Sequence, residues 1–149
     1  MKIEDEIKGE GFMSVQHKLR VNLSFTHGWT YERMQQFFAG YDLTAQQYTV
    51  LRILRGAFPL SYTTSQILDR MAEKNAGVSR MVDRLLKKEL VIKEVSSKDK
   101  RLVDVTISYK GHALCERIDE EIKELDNIYN NLSLEEMDQL NDLLDKLRG

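Results

Sequence analysis

The chain has few of the residues that cross-link or interrupt a fold, since only one of its 149 residues is cysteine and one is proline. The single cysteine, Cys115, excludes an intrachain disulfide and fits a reducing cytoplasm. No stretch approaches the ~18 consecutive apolar residues of a membrane span, and the N-terminus mixes both charges without an apolar signal segment. Pro59 is the one proline, so long helices can run uninterrupted. We therefore expect a cytoplasmic, mostly helical protein with no membrane partner.

The sequence also lacks the motifs of the common enzyme classes. It contains no glycine-rich phosphate loop, no His-Glu-x-x-His and no Gly-x-Ser-x-Gly. The three histidines are His17, His27 and His112, and the first two lie ten residues apart on one predicted helix. Ten residues are nearly three helical turns, so these two imidazoles are not expected to share a metal within one chain. The sequence therefore predicts no enzyme, no cofactor and no metal site.

The net charge of −2 hides a strong asymmetry along the chain. Residues 70–101 carry ten Lys and Arg against five Asp and Glu, whereas residues 116–149 carry four against eleven. Such a division lets one part of a protein meet phosphates while the other stays clear of them. The alternative is that both segments are ordinary solvated helix faces.

Apolar residues recur at helical spacing over most of the chain and predict six helices. The first runs from about residue 12 to residue 39. Gly28 interrupts its pattern and marks a candidate kink or break, and Gly40 is placed to end the helix. The fifth helix, capped by Ser108, runs to about residue 129.

Three of these helices have recognisable beginnings. Thr44, Thr63 and Ser133 are each followed three residues later by Gln or Glu. In this arrangement, a capping box, the hydroxyl accepts from the backbone N–H of the third helical residue, whose side chain accepts from the backbone N–H of the cap. The sequence therefore predicts helices that start at these three positions.

Residues 74–107 carry the most informative pattern in the chain. Residues 75–90 predict a helix with a buried stripe of Val78, Met81, Val82 and Leu85. Two β-branched runs follow directly, residues 91–95 and 102–107, joined by a polar tip. A helix followed at once by a charged-tipped hairpin is typical of a winged helix, which grips a major and a neighbouring minor groove of duplex DNA. We therefore expect a mainly α fold with a small β-hairpin wing.

At these positions the chain resembles the MarR family of bacterial winged-helix regulators. The features that carry the resemblance are Leu43 and Thr44 with Gln47, Val78 to Leu85, Leu90 and Val91, Asp99 to Arg101, and Ile107 to Gly111. The resemblance implies an obligate homodimer on double-stranded DNA. Residues 12–40 and 109–149 would form a helical dimerisation lobe, and residues 43–107 a winged helix-turn-helix lobe. Glu89 departs from the family pattern, which usually has glycine there, and Lys74 with Asn75 replaces the usual start of the recognition helix.

The resemblance also implies a set of DNA contacts. Arg80 would bind a guanine edge in the major groove, and Arg101 would enter the minor groove, drawn by its negative potential. Asn75 is a good N-cap for the recognition helix. The expected DNA-binding residues are Thr63, Thr64, Ser65, Asn75, Ala76, Gly77, Ser79, Arg80, Arg84, Lys98, Lys100 and Arg101.

Some of these charges have purely structural interpretations. Arg84 and Asp83 are interpreted as an intramolecular pair more readily than as a DNA contact. Asp99 repels phosphate, so we interpret it as a brace that orients Arg101 or Arg84. Lys87 and Lys88 are equally well interpreted as a solvated helix end that complements the helix dipole.

Other family members bind small aromatic acids in a crevice between the two lobes. Trp29, Tyr48 and Arg52 are our candidates for such an effector site, although aromatic residues at such positions are more often core. Cys115 is interpreted as a small buried hydrophobe rather than as a sensing thiol.

The sequence thus predicts a ligand-responsive transcriptional repressor that binds a pseudo-palindromic operator as a homodimer. Two alternatives remain open at this stage. The first is a winged-helix interaction adaptor without DNA binding, and the second is a redox or metal sensor.

Overall fold

The computed structural model describes residues 1–8, 11–73, 77–97 and 99–149, and its helices and strands lie within these ranges. Their order is α1 (Ile3–Glu6), α2 (Val15–Ala39), α3 (Ala45–Ala57), β1 (Tyr62–Thr63), α4 (Thr64–Arg70), α5 (Val78–Lys87), β2 (Val91–Val95), β3 (Val103–Ile107), α6 (Tyr109–Glu121), α7 (Lys123–Asp126), a 3-10 turn (Asn127–Tyr129) and α8 (Leu134–Arg148). The protein is therefore mostly helical with one small sheet, as the sequence predicts. No helix within these described ranges is long and apolar enough to cross a bilayer.

Helix α2 differs from its prediction at its beginning and in the middle. It begins three residues later than expected, where the Ser14 hydroxyl accepts from the His17 N–H at 3.0 Å. Gly28 does not break it, because one glycine costs only ~1 kcal/mol and the hydrogen bonds of a long helix cover that cost. The predicted end at Ala39 is confirmed, with Gly40 directly after it, although Gly40 has a right-handed φ of −60° rather than a left-handed one. The left-handed residue is Asp42, two positions later, with φ of 56°.

The three predicted capping boxes are all present. In α3, the Gln47 N–H donates to Thr44 Oγ1 at 3.1 Å and the Thr44 N–H donates to Gln47 Oε1 at 3.0 Å. In α4, the Thr63 N–H donates to Gln66 Oε1 at 2.9 Å, and Ser133 caps α8 in the same way. These local signals were predictable because each needs only two side chains three residues apart.

Helix α5 is shorter than the predicted span of residues 75–90. It begins at Val78, with Gly77 as N-cap, and ends at Lys87. The predicted N-cap, Asn75, lies outside the described residues. Val78, Val82 and Leu85 are buried, as the stripe predicts. The early end has a backbone cause, since Glu89 takes a left-handed φ of 61° where many such turns have glycine.

The wing is a three-stranded antiparallel sheet in the order β1-β3-β2. The predicted hairpin is present, with Val91 opposite Ile107 and Val95 opposite Val103. Strand β1, which the sequence did not predict, adds Tyr62 opposite Val105. Two residues are too few to show an alternating pattern, so this strand was invisible in the sequence.

The fifth predicted helix is divided into three pieces. Helix α6, capped by Ser108, ends at Glu121, and α7 and the 3-10 turn carry the chain to Tyr129. The main core lies between α3, α4, α5, the sheet and the inner face of α6. Its most deeply buried members are Val50, Leu51, Leu54, Ile67, Val82, Leu85, Val105, Ile107, Cys115 and Ile118.

Candidate nucleic-acid interface

The start of α5 and the start of α4 enclose a hollow of about 410 Å³. Thr64 and Ser65 line it from α4, and Gly77, Ser79 and Arg80 line it from α5. These five predicted DNA-binding residues therefore lie side by side although the two groups are more than ten positions apart in sequence. Arg80 is exposed at the N-terminal end of α5, on the side opposite the buried stripe.

Thr63, the N-cap of α4, also stabilises that helix. Its hydroxyl accepts from the Gln66 N–H at 3.3 Å and so holds the first turn of α4. Arg70, at the other end of α4, was not among the predicted residues. Its guanidinium lies 4.1 Å from the centroid of the Tyr62 ring and donates to the Gln66 carbonyl at 2.9 Å, so it fastens β1 to α4.

At the wing, Asp99 and Arg101 form a two-point contact. Arg101 Nη2 lies 2.9 Å from Asp99 Oδ2, and Arg101 Nε lies 3.1 Å from Oδ1. The hydrogen bonds from Arg101 lower the pKa of the Asp99 carboxyl. The Arg101 side chain is nevertheless 88% exposed, so most of its guanidinium surface faces outward. The expectation that Asp99 braces Arg101 is therefore met in the structure. Lys100 is exposed beside this pair, and Lys98 lies outside the described residues.

The predicted pairing of Asp83 with Arg84 is wrong. Asp83 Oδ1 lies 2.8 Å from Lys93 Nζ instead, and this contact ties α5 to β2. Among the described residues, no carboxylate lies within ion-pair distance of the Arg84 guanidinium. Arg84 lines a second hollow, of about 430 Å³, with Lys87 and Lys88 near the N-terminus of α3.

Lys88 is more than a solvated helix end. Its ammonium lies 2.8 Å from Asp42 Oδ2 and also donates to the Asp42 carbonyl. This contact fixes the left-handed turn between α2 and α3 to the end of α5. Lys88 and Lys93 both belong to the basic segment of residues 70–101. The structure shows that each forms an ion pair with an aspartate of the same chain, which the sequence alone did not indicate.

A separate pocket of about 390 Å³ lies where α2, α3 and α7 meet. Its lining includes Tyr48 and Arg52, two of the three predicted effector residues, with Met34, Phe38, Ala45, Thr49, Ile53, Ile122 and Leu125. Trp29 is not there. It lines a smaller hollow against α1, and its ring carries the Arg33 guanidinium at 3.9 Å. The structure therefore joins Tyr48 with Arg52 but does not join Trp29 with them.

The Tyr48 ring lines this pocket, and its hydroxyl contacts a residue of α6. The hydroxyl donates to Asp119 Oδ1 at 3.2 Å, and Arg55 Nη2 lies 2.8 Å from Asp119 Oδ2. Burial, with the nearby Asp119 carboxylate, raises the pKa of Tyr48 to about 12. Neither Arg55 nor Asp119 was predicted, because no local spacing pairs residues so far apart in sequence.

Cys115 is fully buried on the inner face of α6. Burial raises the pKa of its thiol to about 11, so the reactive thiolate is scarce at neutral pH. This environment argues against a sensing thiol. Within the described ranges, His, Cys, Asp and Glu side chains form no group of three that could hold a metal ion.

Comparison with known proteins gives the same picture. A model of the MarR family matches residues 43–103, which span α3 to the start of β3. The HTH-type transcriptional regulator MhqR of Bacillus subtilis (strain 168) is 28% identical over 133 residues, which are 87% of this chain and 89% of that protein.

Two solved structures extend the likeness to the flanking helices. A variant of MarR from E. coli, crystallised with operator DNA, matches with a TM-score of 0.77 and 26% identity, covering 87% of this chain and 92% of that one. A MarR transcription factor from Planctomyces limnophilus matches with a TM-score of 0.71 and 27% identity, covering 91% and 98%. The named relatives are transcription regulators. The chain is therefore similar to the MarR family of transcriptional regulators in sequence over residues 43–103 and in fold over most of its length.

Proposed function

We propose that this regulator is a repressor that binds a pseudo-palindromic DNA operator as a homodimer and releases it when a small aromatic effector binds. The observation that carries the proposal is the hollow between α4 and α5, where Thr64, Ser65, Ser79 and Arg80 converge. Hydroxyls at a helix start suit phosphate oxygens, and an exposed arginine suits the paired acceptors of a guanine edge. The E. coli relative crystallised with operator DNA supports the same role.

In this proposal each copy of the chain contributes one DNA-binding lobe, formed by residues 43–107. Arg80 and Ser79 enter the major groove, with Gly77 and Ala76 allowing close approach of the backbone. Arg101 enters the neighbouring minor groove, where Asp99 holds its guanidinium in a fixed orientation. Thr63, Thr64 and Ser65, with Arg84 and Lys100, lie along the phosphates. Asn75 and Lys98 belong to the same proposed set.

The proposal of a homodimer is supported by apolar surface on the terminal helices. None of the residues of α8, all of which the structure describes, is buried, and Leu134, Leu143 and Leu147 are among its exposed leucines. Val15, Leu19 and Leu23 are exposed on α2. An amphipathic helix left open in this way gains most of its stability only when its apolar face is covered. A second copy of residues 12–40 and 109–149 would cover both faces.

The proposed effector site is the pocket that Tyr48 and Arg52 line. Its walls are mostly aliphatic and aromatic, and Arg52 supplies a positive charge at the rim. Such a lining favours a small aromatic carboxylate. An effector that binds better to a dimer with wrongly spaced lobes would weaken operator binding by mass action, because the two recognition helices must lie about one DNA turn, ~34 Å, apart.

The test is selection of bound duplexes from a random pool by the purified protein. We expect an enriched inverted repeat bound with a Kd of about 10⁻⁸ to 10⁻¹¹ M at physiological salt. Arg80→Ala should reduce the preference for guanine at one position of each half-site, by about 1–3 kcal/mol. Arg148→Ala, which removes an exposed arginine from α8 instead, is the matched control and should leave selection unchanged. Failure to retain any duplex at low ionic strength would overturn the proposal in favour of an interaction adaptor.

A further inference from the structure

Asp119 joins two donors that both come from α3. The Tyr48 hydroxyl reaches one carboxylate oxygen at 3.2 Å, and Arg55 Nη2 reaches the other at 2.8 Å. Tyr48 and Arg55 are seven residues apart, which is two turns, so they lie on one face of α3. One carboxylate on α6 therefore spans two turns of α3.

This contact crosses the boundary between the two lobes. Helix α3 lies in the DNA-binding lobe of residues 43–107, and α6 begins the helical lobe of residues 109–149. Charge-assisted hydrogen bonds are stronger and more directional than neutral ones. The Asp119 and Arg55 side chains are both partly shielded from solvent, so salt screens their attraction less than that of a fully exposed pair.

The same tyrosine is a wall of the candidate effector pocket. Its ring stacks on Phe38 of α2, with 4.6 Å between ring centroids, and both rings line the pocket. Tyr48 is only 4% exposed, so its ring has little room to move without moving its hydroxyl. Any group that enters the pocket and displaces the ring must also change the distance between that hydroxyl and Asp119.

We propose that Asp119 is a positioning residue that latches the DNA-binding lobe to the helical lobe through Tyr48 and Arg55, and that occupancy of the pocket acts on this latch through Tyr48. The inference deepens the proposed function, on which its regulatory meaning rests. Asp119 contacts neither DNA nor effector in this account. It sets the orientation from which α5 and the wing approach the operator.

The chain offers a matched control for the latch. Tyr41, in the turn after α2, donates its hydroxyl to Glu121 Oε2 at 2.6 Å. This is also a tyrosine–carboxylate hydrogen bond to α6, but Tyr41 precedes the DNA-binding lobe and is not among the pocket residues. Tyr41→Phe therefore removes the same chemical group without touching the latch.

The first experiment measures the orientation of the lobes directly. Spin labels at Ser97→Cys on the wing and Asp142→Cys on α8 report an intrachain distance by pulsed electron resonance, with unlabelled chain in excess so that each assembly holds one labelled copy. Cys115 stays unlabelled because it is buried. Tyr48→Phe and Asp119→Asn should each shift or broaden this distance distribution, and Tyr41→Phe should not. Unchanged distributions in both latch variants, or an equal change in Tyr41→Phe, would overturn the latch.

The second experiment fills the pocket without needing the natural effector. Thr49 lines the pocket next to Tyr48, and Thr49→Phe places a ring inside it. This variant should shift the wing-to-α8 distance in the wild-type background and should do so much less in Tyr48→Phe. Equal shifts in the two backgrounds would overturn the connection between pocket and latch. Circular dichroism identifies a variant that fails to fold, in which case Ile53→Phe, from the same wall, replaces it.

Operator binding separates this inference from the proposed function. If Asp119 latches the two lobes as inferred, Asp119→Asn should weaken operator binding about tenfold, which is within the usual range of coupling between sites. If the distances change as expected but no duplex binds even the wild-type protein, the regulatory function fails and the latch stands. If the operator binds and the distances do not respond, the latch fails alone.

Discussion

Both carboxylate oxygens of Asp99 accept hydrogen bonds from the Arg101 guanidinium, with 2.9 Å between Oδ2 and Nη2 and 3.1 Å between Oδ1 and Nε. The Arg101 backbone N–H also donates to Asp99 Oδ1, at 3.0 Å. Three hydrogen bonds from one residue to another two positions away fix both the turn at the wing tip and the direction of the guanidinium. The wing therefore presents its arginine in a defined orientation before any DNA is bound.

The first prediction concerns these two residues. Arg101→Ala should weaken operator binding and lower the slope of log affinity against log salt by about 0.9 if one phosphate contact is lost. Asp99→Asn keeps the size of the brace but removes its charge, so it should weaken binding less while leaving the salt slope near that of the wild type. Equilibrium titrations at several salt concentrations provide both quantities. An Arg101→Ala protein with wild-type affinity would contradict the minor-groove role.

The brace should also be insensitive to pH in the physiological range. The hydrogen bonds from Arg101 lower the pKa of Asp99 below its ordinary value of 3.8. A carboxylate with a lowered folded-state pKa keeps its contribution above the ordinary value and loses it as pH falls through the lowered one. The ratio of affinities of wild type and Asp99→Asn should therefore stay constant from about pH 5 to pH 8.

The second prediction uses two glycines with opposite surroundings. A Cβ at Gly111 would lie 2.3 Å from the Leu90 carbonyl oxygen and 2.8 Å from Ile107 Cγ1. Gly111→Ala should therefore cost at least about 3 kcal/mol of unfolding free energy, or a fall in Tm of roughly 6–12 °C. At Gly56 in α3, no described atom lies within 4 Å of the added Cβ. Gly56→Ala should raise stability by about 0.5–1 kcal/mol, and thermal denaturation measures both changes.

The third prediction concerns the left-handed residue at the end of α5. Glu89 has φ of 61°, a conformation that costs an L-residue about 1–2 kcal/mol. Glu89→Gly should therefore be about 1 kcal/mol more stable than Glu89→Ala. Both variants lose the exposed ion pair with Lys110, so the difference between them reports only the free-energy cost of the left-handed backbone. Equal unfolding midpoints in denaturant for the two variants would contradict the strain.

The fourth prediction concerns the thiol of Cys115. With its pKa raised to about 11 by burial, the group stays protonated and shielded at neutral pH. It should react with Ellman's reagent only when the protein unfolds, and operator binding should survive mild peroxide. Ser97→Cys, with a thiol on the exposed wing, is the positive control and should react at once. Rapid modification of native Cys115 would restore the redox-sensor alternative.

The fifth prediction tests the covering of α8 by a second copy. Leu143 is 64% exposed on that helix, and a charge there would be buried in the proposed dimer. Leu143→Asp should therefore shift the protein from dimer to monomer in light scattering. Leu60→Asp is the control, because Leu60 is similarly exposed, at 69%, but lies in the proposed DNA-binding lobe. A dimer that tolerates Leu143→Asp would place the interface elsewhere.

What the sequence predicted well was local. The caps at Thr44, Thr63 and Ser133 each depend on two side chains within one helical turn, and the stripe of α5 depends on helical periodicity alone. The sites were harder. Asp83 has a cation next to it in sequence, yet it bonds to Lys93 across the fold. Neighbouring charges leave several partners open, and only the packing of β2 against α5 selects one.

Other features left too little trace in the sequence to be found. The left-handed residue after α2 is Asp42, where the Asp42 N–H donates to the Ala39 carbonyl and the Leu43 N–H donates to the Phe38 carbonyl, both at 3.0 Å. Asp119 gives no local signal at all, since its partners Tyr48 and Arg55 are about seventy residues away. Trp29 was chosen as an effector residue only because it is aromatic and lies in a segment that could line a crevice. In the structure it lines a hollow against α1 instead of the effector pocket.

Thr63 belongs to two elements at once, as the residue of β1 opposite Asp104 and as the hydroxyl that caps α4. No linker separates the base of the wing from the first helix of the helix-turn-helix, so the two turn as one rigid piece. In the proposed complex, little ordering entropy would be lost at this junction when a lobe binds DNA, because the strand and the helix are already joined. In the proposed dimer, selectivity for half-site spacing would then come from how the two lobes are placed relative to each other.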